Sequence, residues 1–247
     1  MRIVGIDISL NHVGIVSLDS ETGQVFDWFY VTDKKKHYTD KDHCSWLHFS
    51  KTIKADKDTY NAYRAEFMMM AIHRFLQYQN IKSTETYVAL ENYAYGSVSR
   101  SVYQIGELGG VIRHLIFCSY RKMRYYDPTS VKKFATSNGH AFKKDMVQAA
   151  LDNGFSILDD EKLWVNTTKI VKRLGVKEKV PELGGPVTDL ADAYFLARML
   201  ETELNLRAGT VLLENLPEHK RDLFLRVTKS NPVNILAMPF IHKEIIK

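Results

Sequence analysis

Residues 1–16 read MRIVGIDISLNHVGIV, and the parsing of this stretch decides the fold. Ile3 to Ile6 is a short apolar run, the mark of a buried strand. Asn11 and His12 turn the chain, and Val13 to Leu18 forms a second strand. Asp19–Gly23 (DSETG) turns it again into a third, Gln24 to Val31. Three consecutive strands joined by turns of few residues make an antiparallel meander. Asp7 sits at the end of the first apolar run. A carboxylate inside a sheet is costly unless something positive pairs with it, which makes Asp7 the first candidate functional group.

Working outward, residues 32–58 are polar and rich in Lys, Asp and His, as in an insertion or long loop. Residues 59–80 have helical spacing, with Met68–Met70 as core filler. Thr86 to Leu90 is a fourth strand, ended by Glu91. Residues 98–119 form a long helix containing Gly106, Gly109 and Gly110. Each glycine costs a helix about 1 kcal/mol relative to Ala, so three together imply close approach of another backbone. Met123 to Tyr126 is a fifth strand, stopped by Asp127-Pro128. Short helices follow at Ser130–Ser137 and Lys143–Asn153, then a weakly periodic second insertion over 156–186. Residues 189–206 form a helix with an apolar stripe through Leu190, Ala193, Ala197, Leu200 and Leu204. The order predicts an α/β fold: a mixed five-stranded sheet, a three-strand meander plus parallel strands, flanked by helices. It also predicts one domain, 1–207, interrupted near 32–58 and 156–186, with a C-terminal extension over 208–247 that holds a helix near 217–227.

The chain has 247 residues, 45% hydrophobic and 26% charged, an ordinary globular balance. No segment approaches eighteen consecutive apolar residues, so no membrane partner is expected. A strand pattern from residue 2 leaves no secretory leader, which predicts an intracellular, cytoplasmic protein. Cys44 and Cys118 lie far apart without metal spacing, against a disulfide framework or a cysteine zinc site. A net charge of +5 permits nucleic-acid binding without requiring it.

Four acids occupy telling positions. Asp7 ends the first strand and Glu91 the fourth, and in sheets with parallel neighbours sites gather at strand ends. Asp189 and Asp192 are three apart at the start of a helix, which puts them on one face with about 5–6 Å between Cβ atoms. Thr188 is the expected N-cap. A carboxylate set without His or Cys suits Mg²⁺ or Mn²⁺. Two such ions about 3.5–4 Å apart activate water and stabilise a leaving oxygen in phosphodiester hydrolysis. His12 and His140 read as surface or hydrogen-bonded histidines rather than ligands.

In these contexts the sequence resembles RuvC-type Holliday junction resolvases, a branch of the RNase H-like nuclease superfamily. GIDISLNHVGIV is similar to the family's first strand pair, ALENYAYG to its second acidic motif and TDLADAYFLA to its final acidic helix. VYQIGELGGVIRHLI resembles the helix by which these enzymes pair, and DPTSVKKFATSNGHAFKKDMV the basic segment near DNA. The chain departs from the family in its first turn, Ile8–Asn11, which lacks glycine, and in its extra material. Enlarged versions of this kind resemble phage-encoded or other viral members, for which the location would be the host cytoplasm.

The resemblance implies a Mg²⁺-dependent endonuclease resolving four-way or other branched DNA by paired cuts that leave 5′-phosphate ends. Two ions per site, replaceable by Mn²⁺, would be held by Asp7, Glu91, Asp189 and Asp192. Lys144 is the candidate to hold the scissile or adjacent phosphate. Lys132, Lys133 and Lys143 would add backbone affinity. Tyr93 and Tyr95 are candidates to stack on unpaired bases, against core or loop-anchoring roles. A homodimer through Gly106, Gly109 and Gly110 would match the two-fold symmetry of a junction. Two alternatives stay open. One is an RNase H-like nuclease for flaps, forks or RNA–DNA hybrids. The other is a non-nuclease with the actin-like ATPase fold, although no glycine-rich phosphate loop appears, so no nucleotide cofactor is expected.

Overall fold

The computed structural model describes residues 1–33, 42–47, 53, 56–78, 85–93, 100–159, 163, 165–173, 176–229 and 231–244. The meander forms as its pattern implies: β1 (Arg2–Ile8), β2 (His12–Asp19) and β3 (Val25–Thr32) pair antiparallel in sequence. On the other side of β1 lie β5 (Thr86–Glu91) and then β6 (Lys122–Tyr126), both parallel. A short strand β4 (Cys44–Trp46) adds to β3 in parallel, giving a six-stranded sheet in the order β4-β3-β2-β1-β5-β6. The polar stretch after Thr32 thus supplies a sixth, edge strand to the five expected. It is only three residues long and has no alternation to betray it.

Helices cover both faces. Val4, Ile6, Val13, Ile15, Val88 and Leu90 pack against α1 (Lys57–Tyr78) and α2 (Arg100–Cys118). The opposite face, with Ile3, Val16, Leu18 and Ala89, packs against α5 (Pro186–Ala208). Outside α5 lie α3 (Pro128–Thr136), α4 (Lys143–Asp152) and α6 (Glu218–Leu225), contributing Phe134, Met146 and Phe224 to the same core. Because it is covered from several sides, α5 is buried nearly all round from Pro186 to Leu200, well beyond the expected stripe.

The helix α5 also begins earlier than expected. Gly185 is the N-cap and Pro186 the first turn, so Thr188 lies inside the helix, with its hydroxyl 3.1 Å from the Gly185 carbonyl. Residues of the second expected insertion form an antiparallel hairpin, β7 (Val165–Arg173) and β8 (Val176–Gly184), which runs directly into α5.

The C-terminal segment is held on the sheet edge. Ile241 exchanges two backbone hydrogen bonds with Met123 of β6, at 2.7 and 3.0 Å. Arg124 reaches through to the fully buried Glu203 of α5 at 2.8 Å and donates to the carbonyls of Met238 and Pro239. Tyr126 donates to the same carboxylate at 2.7 Å. No described helix is long and apolar enough to cross a membrane.

Candidate metal centre

Asp7, Gly14 and Tyr30 form one row across three strands, since Asp7 pairs with Gly14 and Gly14 with Tyr30. Directly opposed residues of antiparallel strands share a face, and this face meets the first turns of α5. Gly14 leaves the room: a Cβ there would stand 2.6 Å from the Asp189 carbonyl oxygen. The parallel register carries Ile6 to Leu90, so Asp7 and Glu91 follow side by side at the C-terminal ends of β1 and β5. Two distant strand ends and one helix start are thereby brought to one place.

Electrostatics shows how closely the four acids share it. Burial, then the charges of Glu91, Asp192 and Asp189, pushes the Asp7 carboxyl well above the usual range. Burial and Asp192 push Glu91 up to about 7. Burial and Asp189 push Asp192 up to about 7. Asp189 goes the other way. Its burial is outweighed by a hydrogen bond from His12, the Lys143 ammonium and the Tyr30 hydroxyl, and its carboxyl is held below the usual range. Tyr30 donates to Asp189 Oδ2 at 3.1 Å, and His12 Nδ1 lies 3.4 Å from the same oxygen. Asp189 is the ionised anchor of a cluster whose other three members are pushed toward protonation.

The lysines divide differently from the expectation. Lys143 Nζ lies 3.8 Å from Asp189 Oδ1 and 3.4 Å from the Thr188 hydroxyl, and its charge counters all four acids. Lys132 counters Glu91 and Asp192. Lys144 is exposed, and among the described residues no contact joins it to the acids. Of the two, Lys143 is the lysine beside the acids. It sits at the first position of α4, which begins one residue after Phe142, a ring left 71% exposed. Lys133 pairs instead with Asp222 of the C-terminal segment, at 3.7 Å.

The expected base-stacking and dimer residues also separate. The Tyr93 ring is covered by the Arg113 guanidinium at 4.0 Å, and its hydroxyl donates to the Gly106 carbonyl. A Cβ on Gly109 would come 2.8 Å from the Tyr93 hydroxyl oxygen, so this glycine makes room within the chain. Gly106 and Gly110 have nothing within 4 Å of such a Cβ. Tyr95 lies outside the described residues. Arg113 also donates to the Glu91 carbonyl at 3.1 Å, beside a cavity of about 160 Å³ lined by Ile8, Glu91, Tyr93 and Arg113.

Residue types alone passed over Tyr30, and they left His12 as a hydrogen-bonded histidine without naming its partner. The available signal for Tyr30 was register: it stands two strands from Asp7 in the same row. Among the described residues, no three Asp, Glu, His or Cys side chains stand as a group placed to hold a metal ion. The acids share a field without converging on a point. The donor chemistry still fits a hard divalent cation, because the set is all carboxylate oxygen and three members are short of positive charge.

No family model matches the chain, and no curated protein matches it. Among solved structures it is similar to the Thermus thermophilus RuvC structure, with 18% identity and a TM-score of 0.48 over 85% of this chain and 98% of that one. It is likewise similar to T. thermophilus RuvC in complex with Holliday junction substrate, with 17% identity and a TM-score of 0.47 over 85% and 97%.

Proposed function

We propose that this chain is a divalent-metal-dependent endonuclease that resolves branched DNA, four-way junctions foremost, by paired phosphodiester hydrolysis leaving 5′-phosphate ends. The observation that carries the reading is the meeting of the buried Asp7 with the partly buried Glu91 and Asp192, each with its carboxyl pushed up, beside the ionised Asp189. A fold does not gather uncompensated acids for stability, and a cation relieves them all at once. Asp7, Glu91, Asp189 and Asp192 would hold two Mg²⁺ ions, with Mn²⁺ able to replace them. Bound there, the ions supply Lewis-acid stabilisation of phosphoryl oxygens and a nucleophilic water near neutral pH.

The chain's own groups do the positioning. Tyr30 and His12 fix the Asp189 carboxylate. Lys143, exposed over half of its side chain, is free to turn from Asp189 toward a phosphate oxygen. Lys132 adds positive charge at the same mouth. No nucleotide is required. Residues 1–207 carry this catalytic unit and 208–247 form an extension, whose α6 and Met238–Ile241 pack on it. Two copies pairing through the open faces of Gly106 and Gly110 would match the symmetry of a junction.

Cleavage of a labelled immobile four-way junction with Mg²⁺, beside linear duplex, flap and RNA–DNA hybrid, tests this. Asp7→Asn should abolish cleavage and preserve junction binding. Near-wild-type cleavage by Asp7→Asn would remove the metal centre, and preferential cutting of flap or hybrid would change the substrate.

A further inference from the structure

The C-terminal extension does more than close the sheet edge. Leu223 and Phe224 of α6 are buried, and the Phe224 ring meets Phe134 of α3 edge-on at 6.4 Å, so α6 is fixed against α3. That docking gathers like charges. Lys220 Nζ lies 4.2 Å over the Phe134 ring. Burial and the nearby Arg198 lower the Lys220 pKa, and burial, Lys220 and Lys133 lower that of His219. Arg226 reaches Ser130 at the start of α3 at 3.4 Å.

The segments Pro128–Thr136 and Glu218–Lys229 carry six Lys and Arg against two acids, an excess of four in a chain whose net charge is +5. Neighbouring lysines on α3 link this surface to the acid cluster: the charge of Lys132 reaches Glu91 and Asp192, whereas Lys133 pairs with Asp222 of α6. Positive charge concentrated at a cost in repulsion suits a polyanion.

We infer that α6 and the residues after it, through Lys220, Arg221, Arg226 and Lys229, hold the phosphate backbone of a double-stranded arm of the DNA whose branch lies at the acid cluster. This rests on the nuclease reading for the DNA's identity, but its own content is a binding surface. A helical arm leaving the acids past Lys132 would meet Lys133 and then α6.

The test uses the full chain carrying Asp7→Asn, with branched DNA of short arms (about 8 base pairs) or long arms (about 20). The long-armed DNA should bind at least about tenfold more tightly. Lys220→Glu/Arg221→Glu/Arg226→Glu should erase that gain and make the salt dependence shallower by about two to three ions. Lys229→Glu, changing one exposed side chain, should remove part of the gain without altering the melting temperature. An arm-length gain and salt slope that survive in both variants overturn the inference. A wild-type protein that binds long arms but cuts no branched DNA overturns the nuclease reading alone. Equal loss of affinity for short and long arms places the surface elsewhere on the DNA and also overturns the inference.

Discussion

Gly5 of β1 lies so close beneath Ala193 of α5 that a Cβ on it would stand 1.9 Å from the Ala193 carbonyl oxygen. The contact is backbone on backbone, with no flexible side chain to move aside. Gly5 and Asp7 are two residues apart on one face of β1, so the same close approach that needs glycine at 5 brings the first turns of α5 to Asp7.

Gly5→Ala should therefore lower stability and damage the site together. Overpacking of this kind costs about 2 kcal/mol or more, which for a chain of this size lowers the melting temperature by about 5 °C. Cleavage should fall further than the lost folded fraction explains, because Asp189 and Asp192 move with the helix. An unchanged melting temperature would show that α5 does not sit on β1 this closely.

Stability should depend on pH in a definite direction. Glu91 and Asp192 have folded-state values of about 7, above their ordinary 4.5 and 3.8. A raised folded value means that the folded protein holds the proton more tightly. Its stabilising effect is complete below the ordinary value and is lost as pH rises through about 7. In chelator, the melting temperature should accordingly drop between about pH 5 and 8 by more in wild type than in Asp7→Asn. Magnesium or manganese should restore it at pH 8 and do little at pH 5. A metal effect that is equal at both would contradict ion binding at these carboxylates.

Lys143 and Lys144 should separate in kinetics. Lys143→Ala removes the charge that counters all four acids, and should slow cleavage at saturating DNA about tenfold to a hundredfold. It should also shift the pH–rate profile upward as the acids hold their protons more tightly. Lys144→Ala should change mainly affinity, with a shallower salt dependence. The reverse ranking would return the catalytic role to Lys144.

Arg124 is the clasp between the core and the last residues, joining Glu203, Met238 and Pro239. Arg124→Met should cost about 3–5 kcal/mol, because Glu203 stays buried with a partner removed. Hydrogen exchange at the Met123 amide, now bonded to Ile241, should accelerate more than at Val88 in the sheet interior. Equal acceleration at both would show that the segment is not locally anchored.

Much of the architecture was legible because it rests on short-range pattern. The apolar run at Ile3–Ile6, the strand at Val13–Leu18, the turn at DSETG and the helical spacing after Tyr60 are local, and so is the three-residue step from Asp189 to Asp192. Asp7 and Glu91 stood out because a charge ending an apolar run is a local anomaly. The strand β4 was missed because three residues carry no period, and the full burial of α5 because the layer outside it comes partly from the C-terminal segment.

Local pattern was enough for the meander, the parallel strands and the candidate acids, since patterning over a few residues sets strand, helix and turn. Tertiary structure alone decided that Gly5 and Gly14 admit α5, that Tyr30 and His12 anchor Asp189, and that Lys143 rather than Lys144 faces the acids. It also decided that Tyr93 is occupied by Arg113. These depend on strand register and helix packing between residues distant in the chain, 159 apart for Tyr30 and Asp189. A residue's type cannot encode its distant partner. Packing chooses it, and the partner then sets the charge the site can bear.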